Sequence, residues 1–266
     1  MSFPVKAVVF DWAGTMVDFG CMAPVAALVS VFAEAGVLLL PEEARADMGR
    51  AKLDHLRAVL ARPDVAGRWH DAHGRLPDET DIAALYARLQ DAMQEAAASA
   101  TRLVPGAAQV AQDLRALGIR IGSGTGYTRE MMAPILPAAA AQGYAPDVVI
   151  CAGETPSGRP SPLMTWAALI QMDIWPARAC IKVDDAPVGI IEGREAGCWT
   201  VGLAASGNEM GLSHTDYLAL PEEERLVRLE RARATLLDAG ADFVIDDVSG
   251  LMPIVHEIAT RLSGMD

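Results

Sequence analysis

Apolar positions along this chain follow two textures. Short β-branched runs alternate with longer stretches whose apolar residues recur every three or four positions, the periods of buried strands and amphipathic helices. Val5–Phe10 predicts a first strand, and Ala23–Ala35 a helix ending near Gly36. From Pro41 to about Ala100 the sequence is rich in Ala, Leu, Arg, Glu and Gln and reads as helix, divided by Pro63 and Pro77. From Pro105 the texture changes. A helix to Leu117 precedes a strand at Ile119–Gly122, Arg129–Gln142 precedes Val148–Cys151, Pro162–Met172 precedes Cys180–Val183, and Val188–Ala196 precedes Trp199–Leu203. Beyond a loop, a charged helix spans Pro221–Ala239, followed by a strand at Phe243–Ile245 and a last helix to Leu262.

Strands alternating with helices predict an α/β fold built on a doubly wound, Rossmann-like parallel sheet. The helical block after the first strand interrupts that alternation and reads as an inserted α-helical cap. The expected division is a core of residues 1–19 and 104–266 with a cap of residues 20–103.

Bulk properties narrow the function. The 266 residues, 52% apolar and 21% charged, suffice for a sizeable core. A formal net charge of -13 argues against nucleic acid or an anionic membrane as partner. Cys21, Cys151, Cys180 and Cys198 lack CxxC spacing and an accompanying His cluster, so neither a zinc site nor a disulfide framework is expected. Val5–Phe10 is too short for a signal sequence and closes on Asp11, and no stretch is long and uncharged enough to span a bilayer. A soluble cytoplasmic protein is the expectation.

Ligands of an open α/β sheet bind beyond the carboxyl ends of its strands, and four loops there carry chemistry. Asp11 ends the first strand as a nucleophile or metal ligand. Ser123-Gly124-Thr125-Gly126-Tyr127-Thr128-Arg129 offers backbone and hydroxyl donors to an anion, or serves as an ordinary turn and helix cap. Gly158-Arg159-Pro160 suits a phosphate or phosphonate clamp, or is an Arg in a solvated loop. Asp184 and Asp185 are adjacent carboxylates that repel each other unless a cation lies between them. Their hard oxygens favour Mg²⁺, with one expected to ligate and the other to organise the loop or cap the next helix.

A fifth feature lies in the cap. Met48, Lys52, His55 and Val59 are spaced to share one helix face, beside an apolar stripe of Leu53, Leu56 and Leu60. A Lys on such a face either snorkels to water or is buried, and burial would free its amine to attack a carbonyl.

The order and spacing of the four loops resemble the haloacid dehalogenase superfamily, whose first Asp attacks the substrate to form a covalent intermediate. Most of its phosphatases place a second Asp two residues later as general acid and base; here that position is Ala13. Asp11-Trp12-Ala13-Gly14-Thr15, Val17-Asp18, Gly20-Cys21, Met48-Gly49, Lys52, Asp54-His55, the run from Thr125 to Met132 and Gly158-Arg159-Pro160 together resemble the phosphonoacetaldehyde hydrolase (phosphonatase) family. Glu192-Gly193-Arg194, Ala196-Gly197 and Trp199-Thr200-Val201-Gly202 extend the likeness over nearly the whole chain.

The resemblance implies hydrolysis of a small phosphonate, phosphonoacetaldehyde, to acetaldehyde and phosphate, in a homodimer joined through its caps. Lys52 would form a Schiff base with the aldehyde and Asp11 would attack phosphorus. Mg²⁺ would be held by Asp11, the carbonyl of Ala13 and Asp185. Arg159, Thr125 and Gly126 would bind phosphonate oxygens, while His55, Met48, Cys21 and Tyr127 shape the pocket around Lys52. Two positions depart from the superfamily pattern: Gly189 stands where many members carry another Asp, and Met16 where a small polar residue is expected. A phosphate-ester phosphatase or mutase is the enzymatic alternative, disfavoured by Ala13 because an alkoxide leaving group wants an acid. A dehalogenase would not need the Asp184–Asp185 pair, and a phosphonate-binding relic would not need to retain Asp11, Lys52, Arg159 and Asp185 together.

Overall fold

The computed structural model describes residues 3–264. Its elements run β1 (Ala7–Phe10), α1 (Met22–Glu34), α2 (Pro41–Arg45), α3 (Lys52–Leu60), α4 (Pro63–His73), α5 (Glu79–Ser99), α6 (Ala107–Ala116) and β2 (Arg120–Gly124). There follow α7 (Arg129–Met132), α8 (Ile135–Ala141), β3 (Val148–Ile150), α9 (Leu163–Gln171), β4 (Cys180–Asp184), α10 (Pro187–Ala196) and β5 (Trp199–Leu203). α11 (His214–Ala219), α12 (Glu222–Asp238), β6 (Phe243–Ile245) and α13 (Leu251–Ser263) complete the chain.

The strands form one sheet in the order β3-β2-β1-β4-β5-β6, and every pairing is parallel. β1 is central, and its four residues are buried on both faces, as a parallel strand between helical layers must be. Val8 and Phe10 point into the larger core, while Ala7 and Val9 pack with Met164, Ala168 and Leu169 of α9. The chain moves outward from β1 through β2 and β3, then resumes on the other side at β4. That reversal opens a crevice between the carboxyl ends of β1 and β4, where such sheets bind ligands.

The helices between β1 and β2 form the inserted helical region, with α5 packed along α1 and α3. Pro63 stands in the first turn of α4, where its missing N–H costs nothing, and Pro77 precedes α5. Among the described residues no helix is long and apolar enough to cross a membrane.

Two sequence expectations need correction. The single helix at Arg129–Gln142 is two, because Pro134 cannot donate to the turn before it and the chain breaks between α7 and α8. Helix α11 lies where a loop was expected. Ser213 starts it by accepting from the Asp216 N–H, but none of its residues is buried, so it carries no apolar stripe to betray it.

Candidate active site

Asp11 leaves the end of β1 with its backbone N–H bonded to the Val183 carbonyl of the neighbouring strand. Asp184 and Asp185 leave β4 beside it. All three are buried, and each presents an oxygen within 4.8 Å of the others. Parallel register explains the meeting: Phe10 is the partner of Val183, so the residues that follow diverge from one point.

Arg159 reaches the same point from the loop after β3. Its guanidinium donates to Asp11 Oδ1 at 2.7 Å, to Glu192 Oε2 at 2.8 Å and to the Gly124 carbonyl at 2.7 Å, with Asp184 at 3.4 Å. Glu192 is itself fixed by the N–H and hydroxyl of Thr165. Lys182, wholly buried within β4, donates to Asp184 at 2.7 Å and lies 3.5 Å from Glu192. The surrounding carboxylates outweigh burial and hold Arg159 charged well above its ordinary range.

The charge count of this network is informative. Asp11, Asp184, Asp185 and Glu192 against Arg159 and Lys182 leave two negative charges uncompensated when all are ionised. The excess falls on two residues. Burial pushes the Asp11 carboxyl up despite Arg159, and burial with Asp11 and Asp184 drives Asp185 well above its usual range. Burial also opposes ionisation of Asp184, but Arg159 and Lys182 overcome it and hold that carboxyl below the usual range. A buried trio of hard oxygen donors short of positive charge fits a divalent cation.

Asp185 is held from two sides, by the Thr15 hydroxyl at 3.2 Å and the Asn208 N–H at 2.7 Å. Gly189 has no room for a side chain, because the Asp184 carboxylate fills that space. Asp184 thus puts its acid where the expected Asp at position 189 is missing. Met16 is fully buried in the core, which accounts for its apolar character.

A narrow pocket opens onto this cluster. Asp11, Ala13, Cys21, Met48, Lys52, Thr125, Gly126, Tyr127 and Asp185 all line it, so nine of the residues singled out from the sequence share one wall. Gly49, which stands beside Met48 in the family likeness, completes it with Pro24 and Ala186, which carried no sequence signal. Gly126 permits the close approach of the cap: a Cβ there would stand 2.5 Å from the Arg50 carbonyl. Thr125 accepts from the Tyr127 N–H, and Thr128 is the N-cap of the short α7.

Lys52 opens α3 and is 3% exposed. Its Nζ is 3.6 Å from Met48 Sδ and 5.2 Å from the centroid of the Tyr127 ring. Burial is the main reason its pKa falls to about 8, so about a tenth of the amine is neutral at pH 7, far more than for an ordinary Lys. Burial raises the Cys21 thiol and the Tyr127 phenol well above their ordinary values, leaving both neutral.

Two of the expected residues stand behind the pocket wall. Arg159 has its donors engaged by Asp11, Glu192, Gly124 and Asp184, so it orients the carboxylate cluster directly. His55 is fully buried, and burial followed by the neighbouring Lys52 pushes its pKa down to about 3. The Ala44 backbone lies within electrostatic reach of the ring, but neither ring nitrogen has a well-formed hydrogen bond.

Residues 5–197 match the haloacid dehalogenase-like hydrolases, the class that this sheet and this acidic crevice define. The chain is 49% identical over 259 residues to the phosphonoacetaldehyde hydrolase of Paraburkholderia phytofirmans, covering 97% of each chain. It is 40% identical over 259 residues to that of Bordetella pertussis, covering 97% of this chain and 94% of the relative. The crystal structure of a phosphonoacetaldehyde hydrolase-like protein from Oleispira antarctica superposes with a TM-score of 0.97 at 39% identity, over 99% of this chain and 95% of that one. The chain belongs to the phosphonoacetaldehyde hydrolase family.

Proposed function

We propose that this enzyme hydrolyses the carbon–phosphorus bond of phosphonoacetaldehyde, giving acetaldehyde and phosphate. The observation that carries the reading is Lys52, a buried amine with its pKa lowered to about 8, on the same pocket wall as the Asp11 carboxylate. A phosphate ester gives that amine nothing to attack. An aldehyde does.

Direct cleavage of a C–P bond would expel a poor carbanion. The neutral Lys52 amine adds to the aldehyde carbon, and the carbinolamine hydroxyl takes up a proton from solvent and leaves as water, giving a protonated imine. Asp11 attacks phosphorus; the C–P electron pair becomes the C=C bond of an enamine and the imine nitrogen takes up its π pair. Water then attacks the aspartyl-phosphate and releases phosphate. The enamine gains a proton on carbon, and hydrolysis of the imine frees acetaldehyde and Lys52. The leaving group needs no proton from a second Asp, which accounts for Ala13.

Arg159 holds Asp11 for attack through Oδ1 and is itself steadied by Glu192. Thr125 and Gly126 line the wall that would receive phosphonate oxygens. Tyr127 and Met48 flank the amine and keep water from it, and His55, neutral and buried, packs behind it. Asp11, Asp185 and the Ala13 carbonyl would hold the cation, for which Mg²⁺ suits the oxygen donors. When bound it would neutralise the excess charge and stabilise the negative charge of the transferring group. Residues 20–103 would act as the cap that closes over substrate, and the family likeness supports a cytoplasmic homodimer joined through its caps.

The reading is tested by phosphate release from phosphonoacetaldehyde compared with small phosphate esters, in Mg²⁺. It expects strong preference for the phosphonate. Comparable or faster turnover of the esters would place the chain among the ordinary phosphatases of the superfamily.

A further inference from the structure

We propose that Arg45 is a positioning residue that latches the cap segment carrying Lys52 onto the core loop that holds Asp185. The inference rests on the hydrolase reading only in that it assigns work to both residues.

Arg45 ends α2, and Met48 and Lys52 follow in the next turns. Its Nη1 donates to the Gly20 carbonyl at 2.8 Å and to Asn208 Oδ1 at 3.3 Å, and its Nη2 to the Gly211 carbonyl at 3.2 Å and Met22 Sδ at 3.3 Å. Its own carbonyl accepts from Asn208 Nδ2 at 3.2 Å and from the Met48 N–H at 3.1 Å. Arg45 thus gathers the start of the cap, the segment leading to Lys52 and the loop after β5 into one knot.

That loop reaches the acidic cluster directly. The Asn208 N–H donates to Asp185 Oδ2, the Ser206 hydroxyl donates to the Gly14 carbonyl at 2.7 Å, and the Ser206 carbonyl accepts from the Gly20 N–H at 2.7 Å. The loop is shaped around the guanidinium: Gly211 has φ +64°, and a Cβ there would stand 2.8 Å from Arg45 Nε. Among the described residues Arg45 makes no contact ion pair. Its charge faces Cys21, Asp18, Asp185 and Glu209 at longer range, while its hydrogen bonds go to neutral acceptors. A planar fork that grips two carbonyls and a carboxamide at once is a job for Arg and not for Lys.

Wild type, Arg45→Lys, Arg45→Met and Asn208→Ala are compared by steady-state phosphate release, thermal unfolding and amide exchange over residues 206–212. Asn208→Ala keeps the N–H that holds Asp185 but removes both side-chain links to Arg45. Arg45→Met is expected to lower kcat roughly ten- to hundredfold with little change in KM, since alignment and not entry is lost. Arg45→Lys is expected to recover little of this. Asn208→Ala should reproduce part of the defect, and the double variant should be no worse than Arg45→Met. If Arg45→Met does not fold, the Lys and Asn208 variants carry the test. Wild-type kcat in the folded Arg45 and Asn208 variants, or full rescue by Lys, would overturn the latch. If wild type itself releases no phosphate, the hydrolase reading fails separately. Amide exchange then decides: faster exchange at 206–212 in the variants supports the latch, and unchanged exchange refutes it.

Discussion

The Asp184 carboxylate occupies the space that a side chain at Gly189 would need. The two positions are complementary: an acid on the strand end and a glycine on the first turn of α10 stand where many superfamily members have the acid on the helix. Lys182 and Arg159 hold Asp184 in that place.

Gly189→Ala should therefore disturb the site as well as the fold. Overpacking of this kind costs about 1–3 kcal/mol, and displacing Asp184 should lower turnover further than the loss of stability explains. The exchange Asp184→Gly with Gly189→Asp should retain more activity than either single change. Thermal unfolding and phosphate release on the four proteins check both statements, and a double variant no better than the worse single would contradict them.

Lys52 predicts a pH dependence of rate and of stability. With the neutral amine as the proposed nucleophile, kcat/KM should rise with pH and level off through about pH 8. For stability, the pKa is lowered in the folded chain, from 10.5 to about 8, so the unfolded chain binds the extra proton between those values. Burial of Lys52 thus destabilises the fold fully below about pH 8, and the penalty is relieved as pH rises towards 10.5. Lys52→Met should remove a penalty of up to about 3 kcal/mol at neutral pH while abolishing turnover. Denaturant unfolding at pH 7 checks the sign: a Met variant less stable than wild type would contradict it.

Arg159 joins three buried carboxylates, so its loss should be felt by fold and chemistry together. Arg159→Met leaves Asp11, Asp184 and Glu192 without their shared cation and should cost about 3–5 kcal/mol. Arg159→Lys keeps the charge but cannot bond Asp11, Glu192 and Gly124 at once, and kcat should fall at least roughly a hundredfold. Near-normal kcat in the Lys variant would contradict the role assigned to the fork.

Removal of divalent cations should expose the excess negative charge of the crevice. Chelation is expected to lower the melting temperature and Mg²⁺ to restore it, with about 2.7 kcal/mol gained at a hundredfold excess over Kd. The gain should shrink at acid pH, where Asp185 and Asp11 take up protons. A melting temperature indifferent to Mg²⁺ in the wild-type protein would argue against a cation at the trio.

Much of this was legible in the chain because it depends on local pattern. β5 and β6 lie where their apolar runs predict them, and the loops after β1, β2 and β4 bring seven expected residues to one pocket, joined there by Met48 and Lys52 from the helical insertion. What the sequence hid depends on distant pairing. Arg45 and Asn208 are far apart in the chain, and nothing local distinguishes Arg45 from a surface Arg. Arg159 pairs with acids from three other segments, Asp11, Asp184 and Glu192, a convergence that no local pattern announces. Lys182 did leave a signal, a charge between Ile181 and Val183 in a strand buried on both faces, where an unpaired Lys does not survive.

The most direct test of the account is borohydride added during turnover of phosphonoacetaldehyde with Mg²⁺, followed by mass mapping of the protein. Borohydride should stop phosphate release permanently and leave the reduced two-carbon adduct on Lys52. Continued release in borohydride, or an adduct elsewhere with Lys52 unmodified, would contradict the imine and with it the role assigned to the buried amine.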